Sequence, residues 1–532
     1  MKLNTQSIVN ESQLWQEKGF VLPGYDTDKI KQKTSDSPVW VHFGAGNIFR
    51  GYIACLADEL IKSGDMESGI VAVDSFDNET IEKIYDPFDD LVLLVGLPAK
   101  GEMYLRVIGS IGGAECAKGE GFARLKKYAE SDSLQMISFT ITEKGYAVED
   151  MNGQLFPFVE EDIKAGPGGE LNSAMSIIAA LLYARFKAGE KPLALVSMDN
   201  CSRNGDKLKQ GVMTVVKAWQ QKGHVGADFV AYTESGRVTF PWSMIDKITP
   251  RPDAGVCAEL TAMGIEGMEP VKTTRGTFIA PFVNAEMPQY LVIEDSFPNG
   301  RPPLEKAGVY MTDRETVDRA EKMKVMTCLN PLHTALAVFG CLLGHTKIAD
   351  EMNDPDLKKL VYDLGYKEGL PVVIDPGMIR PEDFLKEVLE QRLPNSYLPD
   401  TPQRIATDTS QKLAIRFGET IKAYAAKGST ESLVLIPMVI AAWLRYLTAI
   451  DDKGQPMELS ADPMLEELKK TVSPEWYGSK CDRAAVTEIL KNATLFGTDL
   501  VKAGLADKIL EDLDSMLAGE GAVRKTLREK LN

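Results

Sequence analysis

The sequence predicts an α/β protein in two parts: a parallel-sheet N-terminal domain with inserted antiparallel strands over residues 1–319, and a mostly α-helical C-terminal domain over residues 320–532. Three observations lead there. Apolar runs of strand length alternate with helical spacing through the first half, the first such run ends in a glycine-rich turn, and amphipathic helical patterns dominate beyond Arg314.

The strand runs fall at 39–43, 69–73, 134–141 and 193–198, each followed by a helical segment or a turn. That alternation implies parallel strands joined by crossover helices. Residues 91–111 hold β-rich stretches around Gly96, Pro98 and Gly101, which reads as an inserted antiparallel hairpin. A second β-rich stretch covers 271–313, cut by Pro and Gly. Helical patterns then run over 330–343, 355–364, 381–391, 407–427, 429–448 and 463–472, and in pieces over 482–513. No internal repeat at periods of about 20 to 50 residues is visible.

Composition excludes several classes of function. The chain has 532 residues with 60 basic and 77 acidic side chains, and the net charge of −17 argues against nucleic acid or anionic membrane as a partner. No window holds the roughly 18 uninterrupted apolar residues of a membrane span. The opening MKLNTQSIVNESQLW lacks a basic region followed by an apolar one, so the expected setting is cytoplasmic. Seven scattered cysteines (Cys55, Cys116, Cys201, Cys257, Cys328, Cys341 and Cys481) form no C-x-x-C pair and fit reduced, packed thiols. The four histidines, His42, His224, His333 and His345, share no ligand spacing with a cysteine, so no metal site is expected.

The first strand runs into Gly44-Ala45-Gly46-Asn47-Ile48-Phe49-Arg50-Gly51, with an amphipathic stretch from Tyr52. Glycine at the first two positions lets the chain turn sharply and lets backbone N–H groups, through Asn47 and Ile48, reach a pyrophosphate at the helix N-terminus. The third glycine falls later than in G-x-G-x-x-G, and a strand-to-helix turn without a ligand has the same look. The next strand favours the first reading, although an acid at a strand tip can also be a solvated loop residue. The strand ends in Asp74, where a carboxylate can accept hydrogen bonds from adenosine ribose hydroxyls and would repel a 2′-phosphate, so this Rossmann-type domain is expected to bind NAD. Asp77 competes for the same role.

GAGNIFRG, TITEKGY (140–146), SMDNCSRNG (197–205), FPWSMIDKITP (240–250), YLVIEDSFPNGRP (290–302) and EKMKVMTCLNPLHTALA (321–337) together resemble the mannitol dehydrogenase family. These are polyol-specific long-chain dehydrogenases that include fructuronate and tagaturonate reductases, and the resemblance runs over nearly the whole chain. It implies a catalytic lysine at Lys324, three residues after Glu321. It also implies an asparagine and histidine at Asn330 and His333, a second asparagine at Asn200, and substrate-binding Arg404 and Lys412. The chemistry suits those types. A lysine whose proton affinity is lowered by burial can take a hydroxyl proton as hydride leaves the carbinol carbon. Two asparagine amides can donate to the oxygen that gains charge, and Glu321, one helical turn before Lys324, can pair with it or relay its proton.

The sequence departs from the family in having five residues, 325–329, where four are usual between the lysine and the asparagine. At about 100° per residue, Lys324 and His333 would point to opposite sides of one continuous α-helix. Two devices can absorb the extra residue: a new helix starting at Pro331 with Asn330 as N-cap, or a π-bulge. A lysine in E-K-M-K is otherwise a solvated helix charge, and Arg404 and Lys412 can equally pair with Asp400 and Asp408. If the segment between those two is helical, they stand about 80° apart.

Within the family, CLNPLHTALA looks most similar to the uronate branch, and Arg404 with Lys412 suits a carboxylate. The resemblance therefore implies interconversion of D-mannonate and D-fructuronate, with a small-molecule sugar acid as substrate and a monomer or small homo-oligomer as the working form. Tagaturonate reduction, oxidation of a neutral polyol such as mannitol, and an inactive nucleotide-binding sensor are the competing readings.

Overall fold

The structure is a computed structural model that describes residues 1–76, 78–274 and 276–532; Asp77, the second candidate for the ribose, lies outside the described residues. The chain divides into two compact units, Met1–Asp318 and Arg319–Asn532.

The first unit is built on six parallel strands: β1 (Trp40–Phe43), β2 (Ile70–Asp74), β3 (Ile111–Cys116), β4 (Met136–Phe139), β5 (Leu193–Ser197) and β6 (Val238–Thr239). Their spatial order is β3-β2-β1-β4-β5-β6. This is the doubly wound order, whose direction reverses between β1 and β4. Trp40 lies opposite both Ile70 and Met136, so the strand ends align and the loops beyond them gather at one edge. Strands β1, β4 and β5 are buried on both faces, as helices on either side of a parallel sheet require. Val41, Phe43, Ile137, Phe139 and Leu195 join the core on one side. Trp40, Met136, Ala194 and Val196, at the alternate positions, join the core on the other.

The predicted insertion is present: Val92–Leu97 pairs antiparallel with Tyr104–Ile108. It is also joined in parallel by Phe282–Glu286 from the second β-rich stretch. The predicted strand 134–141 is shorter than its apolar run, ending at Phe139. The N–H groups of Ile141 and Thr142 donate to the Asp199 carboxylate at 2.9 and 3.0 Å instead of continuing the ladder. Thr142 holds φ +65°, outside the strand region.

The second unit is helical around Leu435–Tyr446, whose twelve residues are all buried and which packs against Ala506–Leu517 and Asn330–Leu343. The expected helix over 407–427 is not one helix. Asp408 takes φ +53°, a 3-10 turn follows at Thr409–Gln411, a π-turn at Ala414–Gly418, and α-helix only at Glu419–Ala426. Further π-turns occur at Lys324–Cys328, Leu364–Gly369 and Val388–Arg392. The run Arg314–Leu343 is long and apolar enough to cross a membrane by composition, but 78% of its apolar window is buried inside the protein, as in a core helix.

Candidate active site

In the first unit, a cavity of about 430 Å³ opens where β1, β2 and β4 end. Gly44 stands at φ +117°, and a Cβ there would lie 2.2 Å from the Thr140 carbonyl oxygen, so the close approach of the β1 and β4 ends demands glycine. Gly46 faces open space, with no atom within 4 Å of where a Cβ would be, and leaves the backbone bare toward the cavity. Gly51, the late third glycine, sits inside the π-turn Phe49–Ile53 that opens the helix. A Cβ on it would meet Val283 at 2.8 Å, so it serves helix-to-strand packing.

Ile48 immediately precedes that π-turn in helical conformation. The Asn47 side chain braces the turn, accepting from Arg50 Nη2 at 2.9 Å and donating to the Pro250 carbonyl at 3.4 Å. Asp74 ends β2 on the cavity wall and its Oδ1 accepts from the Phe76 N–H at 2.9 Å.

Sequence reasoning missed Arg50. It is fully buried, lines the cavity and donates to the Ala280 carbonyl at 2.7 Å. Burial holds its proton affinity below the ordinary arginine range. Its Nε has no hydrogen-bond partner among the described residues. A buried cation with no carboxylate paired to it among the described residues, next to a bare glycine backbone, fits a pyrophosphate. Only the R in GAGNIFRG signalled it, and a lone arginine reads as surface charge. Phe76 and Phe278, 41% and 45% exposed, add apolar walls to the same cavity.

Asn200 lies exposed in the turn after β5, and its neighbours fix that turn. Asp199 accepts from Ile141, Thr142 and the Tyr146 hydroxyl. Asn204 donates to the Ser243 carbonyl at 3.0 Å. Burial pushes the Asp199 carboxyl up while those three donors oppose the shift.

In the second unit the extra residue is absorbed by the π-turn Lys324–Cys328, closed by Leu329 N–H donating to the Lys324 carbonyl at 3.1 Å. The predicted N-cap is corrected: Asn330 is the first residue of the helix Asn330–Leu343, Pro331 is the second, and Leu329 precedes them at φ −127°. His333 N–H already bonds the Leu329 carbonyl at 3.1 Å, so helical hydrogen bonding resumes directly beyond Leu329, the one residue between the π-turn and the helix that leaves helical conformation. Lys324 is 3% exposed, which separates it from the solvated helix charge that E-K-M-K also resembles. Glu321 is half-buried and forms no ion pair among the described residues, so the expected pairing with Lys324 is not made.

His333 is held neutral, its proton affinity pushed down to about 3 by burial first and then by Arg416, Arg404, Arg392 and Lys412. Its Nε2 lies 3.5 Å from Asp400 Oδ2, a contact rather than an ion pair for a neutral ring. Arg404 and Lys412 do not share a helix, because the intervening segment breaks at Asp408. Arg404 pairs with Asp400. Lys412 Nζ donates to the Thr407 carbonyl, and burial, then Arg416, hold its proton affinity below the usual lysine range. Among the described residues no group of three His, Cys, Asp or Glu side chains could hold a metal ion.

A glycine turn with an acidic neighbour at the switch point of this sheet is the arrangement of a dinucleotide-binding domain. Known proteins narrow that class. Residues 39–306 match the Mannitol dehydrogenase Rossmann domain and residues 316–517 the Mannitol dehydrogenase C-terminal domain, so the chain belongs to the mannitol dehydrogenase family. It is 51% identical to a D-mannonate oxidoreductase of Thermotoga maritima, with 99% of each chain covered. It is 30% identical to a mannitol 2-dehydrogenase of Aspergillus clavatus, covering 86% of each. Among solved structures, Pseudomonas fluorescens mannitol 2-dehydrogenase in a ternary complex with NAD and D-mannitol superposes with a TM-score of 0.71 at 26% identity, covering 100% of this chain and 99% of that one.

Proposed function

We propose that this protein interconverts D-mannonate and D-fructuronate with NAD. The observation that carries the reading is the buried Lys324, set by its π-turn ahead of Asn330 and His333 in a chain 51% identical to a D-mannonate oxidoreductase. Bound at the glycine turn, the nicotinamide supplies the hydride acceptor for the carbinol carbon. Lys324 takes the proton from the hydroxyl oxygen in oxidation and returns it in reduction. Asn330, with Asn200 as the family resemblance assigns it, donates to the oxygen that gains negative charge. His333, neutral at working pH, serves as a hydrogen-bonding group rather than a proton source. Glu321, unpaired among the described residues one turn ahead of Lys324, is suited to pass the proton outward.

Gly44, Gly46, Asn47 and Ile48 hold the pyrophosphate, and Asp74 takes the ribose hydroxyls, which favours NAD over its 2′-phosphorylated form. Arg404 and Lys412 belong to the substrate's surroundings. The setting is cytoplasmic, and the working form a monomer or small homo-oligomer.

The test is a panel of fructuronate, tagaturonate and fructose followed by NADH absorbance. Fructuronate is expected to give the highest kcat/KM. Faster turnover of fructose would remove the sugar-acid assignment.

A further inference from the structure

We propose that Arg416, rather than Arg404 or Lys412, receives the substrate's carboxylate and thereby sets the preference for a sugar acid over a neutral polyol. The inference rests on the sugar-acid reading above and adds the residue responsible for it.

Four cations of the second unit act on His333; Arg392 has an interaction of its own, and Arg404 and Lys412, the two that the resemblance assigns to the substrate, are already engaged. Arg404 is ion-paired with Asp400, and its side chain is 62% exposed. The Lys412 ammonium is turned onto main-chain carbonyls, of Thr407 and, at 3.5 Å, of Ile405. Arg416 differs from both. Its guanidinium is largely withdrawn from water, and Thr334 Oγ1 is its only hydrogen-bond partner among the described residues. No carboxylate among them offsets its charge, and burial alone brings its proton affinity down to about 10. Burying a cation without a counter-charge is unfavourable, and an anionic ligand supplies the missing partner.

The placement is as specific as the charge. The Thr334 hydroxyl that accepts from Arg416 itself donates to the Asn330 carbonyl at 3.0 Å, so Arg416 is tied to the helical turn that carries Asn330 and His333. Arg416 lies in the π-turn Ala414–Gly418, which packs directly against the π-turn Lys324–Cys328. The Thr420 hydroxyl fastens the two together at the Met326 carbonyl, 3.3 Å away. One Nη of Arg416 is taken by Thr334. The Nε–Nη2 edge stays unbonded and is not sealed from solvent, and that planar pair of donors matches the two oxygens of a carboxylate. A substrate oxygen at Lys324 and Asn330 then has its carboxylate end within the same corner of the domain.

Calorimetry of D-mannonate and D-mannitol binding to the NADH-loaded enzyme, a combination that cannot react, separates this inference from the functional reading. The wild type is expected to bind mannonate more tightly than mannitol. Arg416→Met should weaken mannonate by about 30-fold, the range expected for a charge-assisted bidentate contact, while mannitol affinity moves by less than about threefold. Arg416→Lys should recover part of the loss, and Arg404→Met should lose less than Arg416→Met. Equal losses for both ligands, or a mannonate affinity unchanged in Arg416→Met, overturn the assignment of Arg416 while the sugar-acid reading stands. Mannonate that binds tightly but is never turned over overturns the functional reading and leaves Arg416 in place. A wild type that does not prefer mannonate overturns both.

Discussion

Gly44 and Thr140 meet so closely that a Cβ on the glycine would stand 2.2 Å from the threonine's carbonyl oxygen, at a backbone φ of +117°. Two strand ends converge there at the point where the sheet reverses direction. Gly46, two residues on, has nothing within 4 Å of a Cβ position. The fold itself demands glycine at 44, whereas at 46 only a ligand would. Gly44→Ala is expected to lower thermal stability by several degrees, about 1–3 kcal/mol for a forced φ plus the clash. Gly46→Ala should melt with the wild type yet bind NADH at least about tenfold more weakly, because the methyl group fills the space the pyrophosphate needs. Equal melting and equal NADH affinity in both variants would contradict this division, and fluorescence titration with a melting curve is sufficient to see it.

Asp74 tests the choice of dinucleotide. Its carboxylate ends β2 on the cavity wall, where, in the proposed binding mode, it would accept ribose hydroxyls and repel a 2′-phosphate. Asp74→Ala should raise the ratio of kcat/KM for NADPH over NADH by at least about tenfold, chiefly through KM, since removing one like-charge contact is worth about 1–2 kcal/mol. An unchanged ratio would move the discrimination elsewhere on the wall.

Much of this arrangement was legible in the sequence, and what was not has physical reasons. The four core strand runs lie within two residues of the observed strands because buried parallel strands are continuous apolar stretches, as in 193–198. The positions of the glycine turn and of Asp74 on the cavity wall were readable because each directly ends an apolar strand run. The π-turn at Lys324–Cys328 was one of two devices the extra residue allowed, whereas the breaks inside 407–427 were hidden, because its apolar residues keep a helix-like spacing through the left-handed Asp408 and the 3-10 and π-turns that follow. Arg50 and Arg416 were hidden for another reason. Arginine is ordinarily a surface residue, and nothing in a linear pattern tells that Arg50 is fully buried.

Lys324 carries the chemistry in the proposed mechanism. The side chain is 3% exposed, and the turn that bears it is fixed by the bond from Leu329 N–H to its own carbonyl. Lys324→Ala should lower kcat by about three orders of magnitude, the usual worth of a positioned proton acceptor together with its orientation. NADH affinity should remain within about threefold, because the cradle around Gly44 and Gly46 belongs to the other unit. Single-turnover rates from the NADH absorbance decide it; a turnover number unchanged by the substitution rejects the role.

Glu351 links stability to pH. Its carboxyl is fully buried against Gly340, where a Cβ would come within 2.0 Å of Oε1. Neither oxygen has a hydrogen-bond partner among the described residues. Burial first, and then Asp354 and Asp350, push it up to about 10 from its ordinary 4.5, and the neighbouring Cys341 thiol is pushed up to about 12. Between those two carboxyl values the unfolded chain has lost the proton and the folded chain keeps it, so folding takes up a proton and stability falls as pH rises. The slope for one such group is up to about 1.4 kcal/mol per pH unit. Glu351→Gln is neutral in both states and lacks that slope. Urea unfolding of the two proteins at pH 6 and pH 9 should therefore show the variant gaining on the wild type at the higher pH. A difference that stays constant between the two pH values would mean that the buried carboxyl ionises in the folded protein.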